Sequence, residues 1–554
     1  MKKNLKRLAA MTLTAALAVS VTACSSSKNT GDGAKDPESV SKTAESSGQV
    51  PETTLKIYMF GGAENQDKVL NKFYEQTKDT LNTKLDFVWS PASDYIQNIP
   101  LLIQNKQEAD LVFDAYWMNL SKMKNEGAYA DISKYFNNDE YPGLKAAFPE
   151  SVIGQVREPD GAIYTVPLYE VADDQSFCFF IRKDLREKYH LPEVRDLDTF
   201  RQYCDAMEKH KAEEGLVAPI GLAERGFFKF QDRELTRRAN HIFGIPNTGA
   251  NATMEIQALL NEEGTKVLAV AGIGDPDEAF AEFPEPFHTN YMDARYVELA
   301  ETWKPYVQKD SNVEQDAKKN LFYTGKVAAV EGALDGYGEV AREIENFTGI
   351  KDNVEVFLYD EVEQKRDKIV KNNLTTNNFL CIPYYSTKID QTMKFLDWIY
   401  SNRANHDLFQ YGIEGEDWTA VGDSQYESLN ADNKYVFPGY QLTWNPNYAR
   451  IEKNLPEKIK DYYENYVNLP DNYTESPIAG FVFNAGENSE VKRAYAAYTN
   501  VQTEYYSTLA NGIYGDQTEK VIGEYYKKAQ AAGMETVKEA VKRQLQEYLD
   551  SKNK

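Results

Sequence analysis

Apolar positions near the start of the folded chain follow two periods. Residues 54–62 and 83–90 are short runs rich in apolar and aromatic residues, which is typical of buried strands. Residues 64–78 place apolar side chains three and four positions apart, which predicts an amphipathic helix. A helix over roughly 93–106 and a strand over 110–115 complete a β-α-β-α-β pattern. This alternation predicts a parallel sheet covered by helices on both faces.

The carboxyl ends of these strands should meet at one edge of the sheet, where open α/β sheets bind ligands. That edge carries Gly61 after the first strand, Ser90 after the second, and the aromatic pair Tyr116 and Trp117 after the third. We therefore expect Tyr116 and Trp117 to bind ligand. The alternative for Trp117 is packing against the end of the sheet.

The pattern changes in the later part of the chain. Residues 161–185 contain two extended runs around a loop, 195–210 have the spacing of a helix, and 353–359 that of a strand. A tyrosine-rich C-terminal part ends in two predicted helices over roughly 484–510 and 518–550. At ~100–200 residues per domain, a chain of 554 residues is long enough for two or more packed lobes.

The N-terminal segment has the pattern of a secretory signal peptide over residues 1–23. A basic start precedes an apolar run from 8 to 23, which is too short to cross ~30 Å of hydrocarbon. The sequence VTAC that ends at Cys24 resembles a bacterial lipobox, so Cys24 is the predicted lipidation site. An ordinary signal peptide that ends beside a cysteine is the alternative. Residues 24–53 are rich in Ser, Gly and charged side chains, which predicts a flexible tether behind the lipid.

The charge balance argues against a nucleic-acid partner. Lys plus Arg number 62 and Asp plus Glu number 86, which gives a net charge of −24. Removal of the signal would lower the net charge to −28, because four basic and no acidic residues would be lost. Such a chain repels the phosphate backbone and anionic lipid headgroups. We therefore expect membrane attachment only through the lipid, with the protein facing the extracellular side.

Cysteine and histidine spacing predicts no metal, disulfide or catalytic site. Cys178, Cys204 and Cys381 show no CxxC spacing, and the five histidines have neither metal nor triad spacing. The motifs GxSxG, HExxH and the phosphate-binding loop are absent from the sequence. We expect a protein without cofactor and without enzymatic activity.

Several short segments form an ordered set of motifs. They are the lipobox with its tether, TLKIYMFGG at 54–62, GAIYTVP at 161–167, FFIRKDL at 179–185, YTGKVAA at 323–329, FLCIPYYSTKIDQTMKFLDWIYS at 379–401 and FQYGIEGEDW at 409–418. In this order they resemble the family 1 extracellular solute-binding lipoproteins of bacterial ABC importers. FQYGIEGEDW is similar to the large subgroup that includes LplA-like and alginate-oligosaccharide-binding proteins. The set is specific for the family rather than for one sugar.

The resemblance implies an α/β, two-lobe periplasmic-binding-protein-like fold with three hinge crossings and an extended C-terminal helical part. It predicts one lobe from 54–168 plus 331–375 and another from 175–325 plus 380–554. It predicts the crossings near 166–175, 325–334 and 374–382. The lobes would close on ligand, and the closed monomer would deliver the ligand to an ABC permease.

Sugars present apolar CH faces and hydroxyl groups, so their sites combine aromatic platforms with carboxylates, amides and guanidinium groups. Besides Tyr116 and Trp117, the predicted ligand-binding residues are Tyr169, Asp173 and Asp174 in the first crossing, Glu331, Asp335 and Tyr337 at the second, and Tyr440, Trp444, Asn445 and Arg450 in a loop of lobe two. Trp117 and Trp444 are expected at facing edges of the cleft. Solvated loop acids are the alternative for Asp173 and Asp174.

The sequence leaves the ligand open. An acidic oligosaccharide would need cleft cations such as Arg450 or Arg225, whereas a neutral one would need mainly aromatic and amide groups. Some relatives hold calcium, but residues 211–220 lack the alternating oxygen ligands for that ion, so no metal is predicted. The other classes that fit are a surface glycoside hydrolase with Glu331 and Asp335 as its carboxylate pair, and a peptide- or signal-binding lipoprotein.

Overall fold

The computed structural model describes residues 50–158, 160–168, 176–221, 230, 234–246, 253–307, 320–371, 377–429, 437 and 439–552. The strands are β1 (Thr53–Phe60), β2 (Thr83–Ser90), β3 (Leu111–Ala115), β4 (Val166–Pro167), β5 (Phe177–Arg182), β6 (Ala218–Gly221), β7 (Ile242–Pro246), β8 (Thr253–Leu260), β9 (Val267–Gly272), β10 (Val327–Ala333), β11 (Val354–Leu358), β12 (Ile369–Lys371), β13 (Asn378–Cys381), β14 (Trp418–Val421), β15 (Gln425–Ser428), β16 (Ile451–Glu452) and β17 (Tyr473–Glu475). The α-helices are Gln66–Thr77, Ala92–Gln104, Leu120–Asn125, Pro142–Ala147, Glu150–Ile153, Lys183–Lys188, Leu197–Lys209, Lys211–Glu214, Glu234–Ala239, Tyr291–Glu298, Tyr337–Thr348, Glu361–Lys365, Ile389–Tyr400, Arg403–Tyr411, Gly439–Leu442, Glu457–Tyr462, Ser489–Ala510, Thr518–Ala531 and Met534–Lys552.

The first sheet has the strand order β2-β1-β3-β13-β4. β1 is parallel to β2 and to β3, and β13 is antiparallel to β3. Helices cover both faces, and the Tyr95 hydroxyl in one of them lies within hydrogen-bond distance of the carbonyl oxygens of Tyr58 at 2.9 Å and Phe113 at 2.8 Å. The predicted β-α-β-α-β unit is therefore confirmed. This sheet and the elements packed on it are called the first lobe.

The second sheet has the order β11-β5-β10-β6 and forms the centre of the second lobe. β5 runs antiparallel to β10 and β11, and β6 runs parallel to β10. Tyr337 and Ile344 of the following helix are buried with Phe180 of β5 in one apolar core. The prediction that 331–375 belongs to the first lobe is therefore wrong. β11 is a strand of the second sheet, and the helix Tyr337–Thr348 packs on that sheet.

The opposite correction applies to the region after 380. β13 is the fourth strand of the first sheet, and the helix Ile389–Tyr400 places the Phe395 ring 5.6 Å from the Phe73 ring of the first lobe. Leu442 is buried in the same core. Only from about 457 does the chain pack on the second lobe, where Ile459 is buried. The prediction that all of 380–554 lies in the second lobe is therefore wrong.

The chain passes between the lobes at three places. It leaves the first sheet at Leu168 and enters the second lobe at Ser176, and it leaves β12 at Lys371 and returns at Asn378. The third passage lies between β16 and the helix Glu457–Tyr462. A crossing near 325–334 is wrong, because β10 is an apolar, buried strand inside the second sheet.

The C-terminal helices pack on a three-stranded antiparallel sheet of β7, β8 and β9. Lys538 in the last helix donates to the buried Asp275 carboxylate at 2.7 Å. The predicted C-terminal helical part is confirmed, but the single helix predicted over 518–550 is two helices, Thr518–Ala531 and Met534–Lys552, because the chain turns at Gly533 with a φ of 98°. Among the helices of the described residues, none is long and apolar enough to cross a bilayer. The predicted signal peptide, Cys24 and most of the predicted tether lie outside the described residues.

Candidate functional site

The ends of several strands meet at one edge of the first sheet. This carboxyl edge consists of residues 61–68 after β1, Trp89 and Ser90 at the end of β2, Tyr116 and Trp117 after β3, and residues 377–378 at the start of β13. Gly61 N donates to Ser90 O at 2.9 Å, and Tyr116 N donates to Asn377 O at 3.0 Å. The chain also leaves towards the second lobe beside this edge, because Leu168 N donates to Asn378 O at 3.0 Å.

Tyr116 and Trp117 lie at this edge, as predicted from the sequence. The Tyr116 side chain is 41% exposed, and its ring contacts Phe379 edge-on at 5.0 Å between centroids. The Trp117 ring is partly buried against Phe60 at 6.0 Å, and its Nε1 donates to Asn378 Oδ1 at 2.9 Å. Both rings therefore have fixed positions at the place where parallel sheets bind ligands.

A buried carboxylate shapes the turn that carries these two aromatics. Asp114 Oδ1 accepts from the backbone N–H groups of Ala115 at 2.8 Å and Asn119 at 3.0 Å, and Oδ2 accepts from the Tyr129 hydroxyl. Burial raises the pKa of Asp114 to about 6, although these hydrogen bonds favour its charged form. The Asp114 carboxylate therefore binds the first and the last residue of the turn at 115–119, which carries Tyr116 and Trp117.

Gln441 ties the predicted lobe-two loop to the first lobe. Its fully buried amide accepts from Phe60 N at 3.2 Å and donates to Phe60 O at 3.0 Å. Trp444 packs on the first-lobe core, and Tyr440 lies in the same short helix as Gln441, although its side chain is outside the description. Trp117 and Trp444 are therefore on one lobe, and the prediction that they lie on opposite sides of the cleft is wrong.

Asn445 and Arg450 have structural partners inside the first lobe. Asn445 is 2% exposed and donates to Ala147 O at 3.0 Å. Arg450 Nε donates to the buried Asp407 carboxylate at 2.9 Å, and its guanidinium lies 5.2 Å from the centre of the Trp418 ring. These contacts contradict the predicted role of Asn445 and Arg450 as ligand-binding groups.

The residues predicted at the second crossing are also buried. Glu331 is 3% exposed within β10 and accepts from the Tyr359 hydroxyl at 3.1 Å, and Tyr337 is 4% exposed in the second-lobe core. Asp335 lies in a short turn after β10, and its side chain is outside the description. Glu331 is thus not displayed as an exposed carboxylate, which the hydrolase alternative requires. Tyr169, Asp173 and Asp174 lie outside the described residues.

Trp89 and Gln66 at the carboxyl edge were not predicted as site residues. Trp89 Nε1 donates to Gln66 Oε1 at 3.1 Å. Gln66 also lines a surface depression of about 450 Å³, together with Ala63, Asn65, Asp67 and Lys68. The available signal was the aromatic residue at the end of the second predicted strand, the same signal that identified Tyr116 and Trp117. Among the described residues, no group of His, Cys, Asp and Glu side chains could hold a metal ion.

Comparisons with known protein families and solved structures show which family and fold this chain shares. The family "Bacterial extracellular solute-binding protein" matches residues 62–406, and a domain of unknown function, DUF3502, matches 477–550. No curated protein matches the chain.

The N-glycan transport solute-binding protein NgtS from Streptococcus pneumoniae superposes with a TM-score of 0.65 at 19% identity, covering 90% of this chain and 100% of NgtS. An HMO-binding solute-binding protein from Bifidobacterium longum infantis gives 0.57 at 13% identity, covering 90% and 99% of the two chains. The alginate-binding protein AlgQ2 gives 0.56 at 17%, covering 90% and 98%. These likenesses establish the shared fold.

Proposed function

Because the chain belongs to the bacterial extracellular solute-binding proteins, matched over residues 62–406, we propose that it captures an extracellular oligosaccharide between its lobes and delivers it to an ABC permease. The observation that carries the choice of ligand is the composition of the carboxyl edge. Tyr116 and Trp117 offer aromatic faces, and Gln66 and Asn378 offer amide groups, in one row. Aromatic faces bind sugar CH groups, and amides can donate to and accept from hydroxyl groups.

Proteins that share this fold are named for carbohydrates of several kinds. NgtS is described in complex with Man1GlcNAc and Man5GlcNAc, and AlgQ2 is named for alginate. Their likeness supports a sugar as ligand without selecting one. In this proposal the monomer closes on ligand by rotation of one lobe against the other at the three places where the chain passes between them.

A panel of neutral and acidic oligosaccharides should contain members that raise the melting temperature of the protein. A ligand at 100 times its dissociation constant stabilises the folded state by ~2.7 kcal/mol. Chromatography of the same mixtures should recover the sugar unchanged, because a binding protein does not cleave it. Shortened products would favour the hydrolase, and stabilisation by peptides alone would favour the peptide-binding lipoprotein.

We further propose that Cys24 carries a lipid that holds the protein on the outer face of the cell membrane. Cys24→Ala should therefore release the protein from the membrane fraction or leave its signal peptide uncleaved. Ser25→Ala is the matched control, since it alters the neighbouring residue and keeps the thiol. Fractionation followed by immunoblotting measures both effects. A Cys24→Ala protein that is processed and stays membrane-bound would contradict the lipid anchor.

A further inference from the structure

The outer end of the carboxyl edge is built by Trp89, Gln66 and Asp67. We propose that these three residues form an additional sugar subsite, which makes the protein prefer neutral oligosaccharides longer than a disaccharide. The inference rests on the proposed function, because it extends the same ligand row beyond Tyr116 and Trp117. Four observations carry it: the position of the residues, the support of the Trp89 ring, the shape of the surface and its charge.

The subsite lies at one end of the row. β2 is the edge strand of the first sheet, and the order β2-β1-β3-β13 places Trp89 three strands away from Asn378. Neighbouring strands are ~4.8 Å apart, so the row from Trp89 to Asn378 extends over roughly 14 Å. The register pairs Met59 with Trp89 and Phe60 with Ser90, so the two strands end at one level. A ligand that contacts the whole row must be longer than a single sugar ring.

The position of the Trp89 ring is fixed by contacts with two other aromatic rings. Phe87 stacks on it at 5.6 Å between centroids with 13° between the planes, and Phe437 packs against it at 5.9 Å. Its Nε1–H donates to Gln66 Oε1 at 3.1 Å, which orients the amide. The Gln66 Nε2 group is not bonded to any residue that the structure describes, so it can donate to a sugar hydroxyl. A fixed aromatic ring beside an oriented amide reproduces the arrangement of Trp117 and Asn378.

The surface next to this pair is concave. Gln66, Asp67 and Lys68 line the depression of about 450 Å³, which is within the range of ~300–1,000 Å³ for small-molecule sites. Asp67 is exposed in it and can accept hydrogen bonds from hydroxyl groups. The depression therefore offers a donor and an acceptor, and the Trp89 ring is hydrogen-bonded to Gln66 beside it.

Charge favours a neutral ring over a uronic acid. Lys68 lines the depression, but its ammonium forms a salt bridge with Asp417, whose side chain is 2% exposed. Asp67 would repel a uronate carboxylate at the same place. Arg450, one of the cations that an acidic ligand would need, is already paired with the buried Asp407 carboxylate. Hydroxyl groups suffer no such repulsion.

The test compares dissociation constants along neutral series of two to five units, made of manno-, xylo- and chito-oligosaccharides, with an oligomannuronate series as the acidic probe. The wild-type protein should bind the longer members of a neutral series more tightly than the disaccharide. Gln66→Ala should weaken binding of the longer members by roughly 3- to 10-fold, the loss of about one hydrogen bond, and leave the disaccharide unchanged. Trp89→Phe keeps the packing but removes the N–H that orients Gln66, and should reduce the same preference.

Trp398→Phe is the matched control, because Trp398 packs on Phe73 and Phe409 among the helices of the same lobe. It should change the melting temperature without changing the length preference. Equal weakening of all chain lengths by Gln66→Ala, an unchanged length preference, or tighter binding of oligomannuronate would overturn the subsite. If the wild-type protein binds none of the oligosaccharides, the proposed function itself fails, and the subsite fails with it.

Discussion

Replacing Arg450 by alanine should lower the free energy of unfolding by about 3–5 kcal/mol, the usual cost of removing one partner of a buried ion pair. The Arg450 side chain is 8% exposed and the Asp407 side chain is 3% exposed, with 2.9 Å between Nε and Oδ2. Arg450 Nη1 also donates to the carbonyl oxygens of Gly422 at 3.4 Å and Asp423 at 3.3 Å. The variant would leave the Asp407 carboxylate buried with His406 Nδ1 as a neighbour at 3.0 Å.

Urea denaturation of the wild type and the variant measures this difference. Arg157→Ala is the matched control, because Arg157 binds the 58%-exposed Glu150 carboxylate in the same lobe, and exposed pairs contribute at most ~1 kcal/mol. The affinity of folded Arg450→Ala protein for oligosaccharide should equal that of the wild type. If the variant is as stable as the wild type but binds oligosaccharide more weakly, Arg450 contacts the ligand and its role is not the structural ion pair with Asp407.

Replacing Trp117 by alanine should weaken oligosaccharide binding by about 5- to 150-fold. Burying an aromatic face against the CH groups of a sugar contributes on the order of 1–3 kcal/mol, and each 1.4 kcal/mol corresponds to a factor of ten. The position of the ring supports this role, because the hydrogen bond to Asn378 and the contact with Phe60 fix it at the carboxyl edge. Calorimetric titration with the tightest member of the oligosaccharide panel measures the effect.

Trp398→Ala separates binding from packing in this experiment. Trp398 packs on Phe73 at 4.9 Å between ring centroids and is partly buried, so its removal should cost folding stability, up to the ~3–5 kcal/mol of a fully buried Trp, and no affinity in the folded fraction. Trp117→Phe should keep part of the affinity, because a smaller aromatic face remains. If Trp117→Ala lowers the melting temperature but binds as tightly as the wild type, Trp117 is a core residue and does not belong to the site.

Local patterns were sufficient for the elements at the start of the chain. β2 was predicted at its observed bounds, and the helix Gln66–Thr77 within two residues, because periods of two and of 3.6 residues are properties of the local sequence. Tyr116 and Trp117 were located correctly for the same reason. A residue that follows a parallel strand reaches the carboxyl edge whatever the rest of the chain does.

Partner choice between strands could not be predicted from the same patterns. β10 and β13 are both short apolar strands, and each could pair within either sheet. β10 joins β5 and β6, whereas β13 joins β3 and β4, and this choice decides which lobe holds 331–371 and which holds 378–442. A strand's hydrophobicity determines that it is buried, but the pairing depends on backbone groups that are distant in sequence.

The sequence by itself determined the family resemblance, the first β-α-β-α-β unit and two aromatics of the carboxyl edge, because each depends on neighbouring residues. The tertiary structure alone decided what the loop at 440–450 does. Gln441 binds Phe60 across 381 residues, and Arg450 binds Asp407 across 43. A polar side chain in a loop rich in Pro, Gly and Asn has the same local pattern whether it faces solvent or a buried partner. Only the position of that partner in the fold distinguishes a ligand-binding group from a structural one.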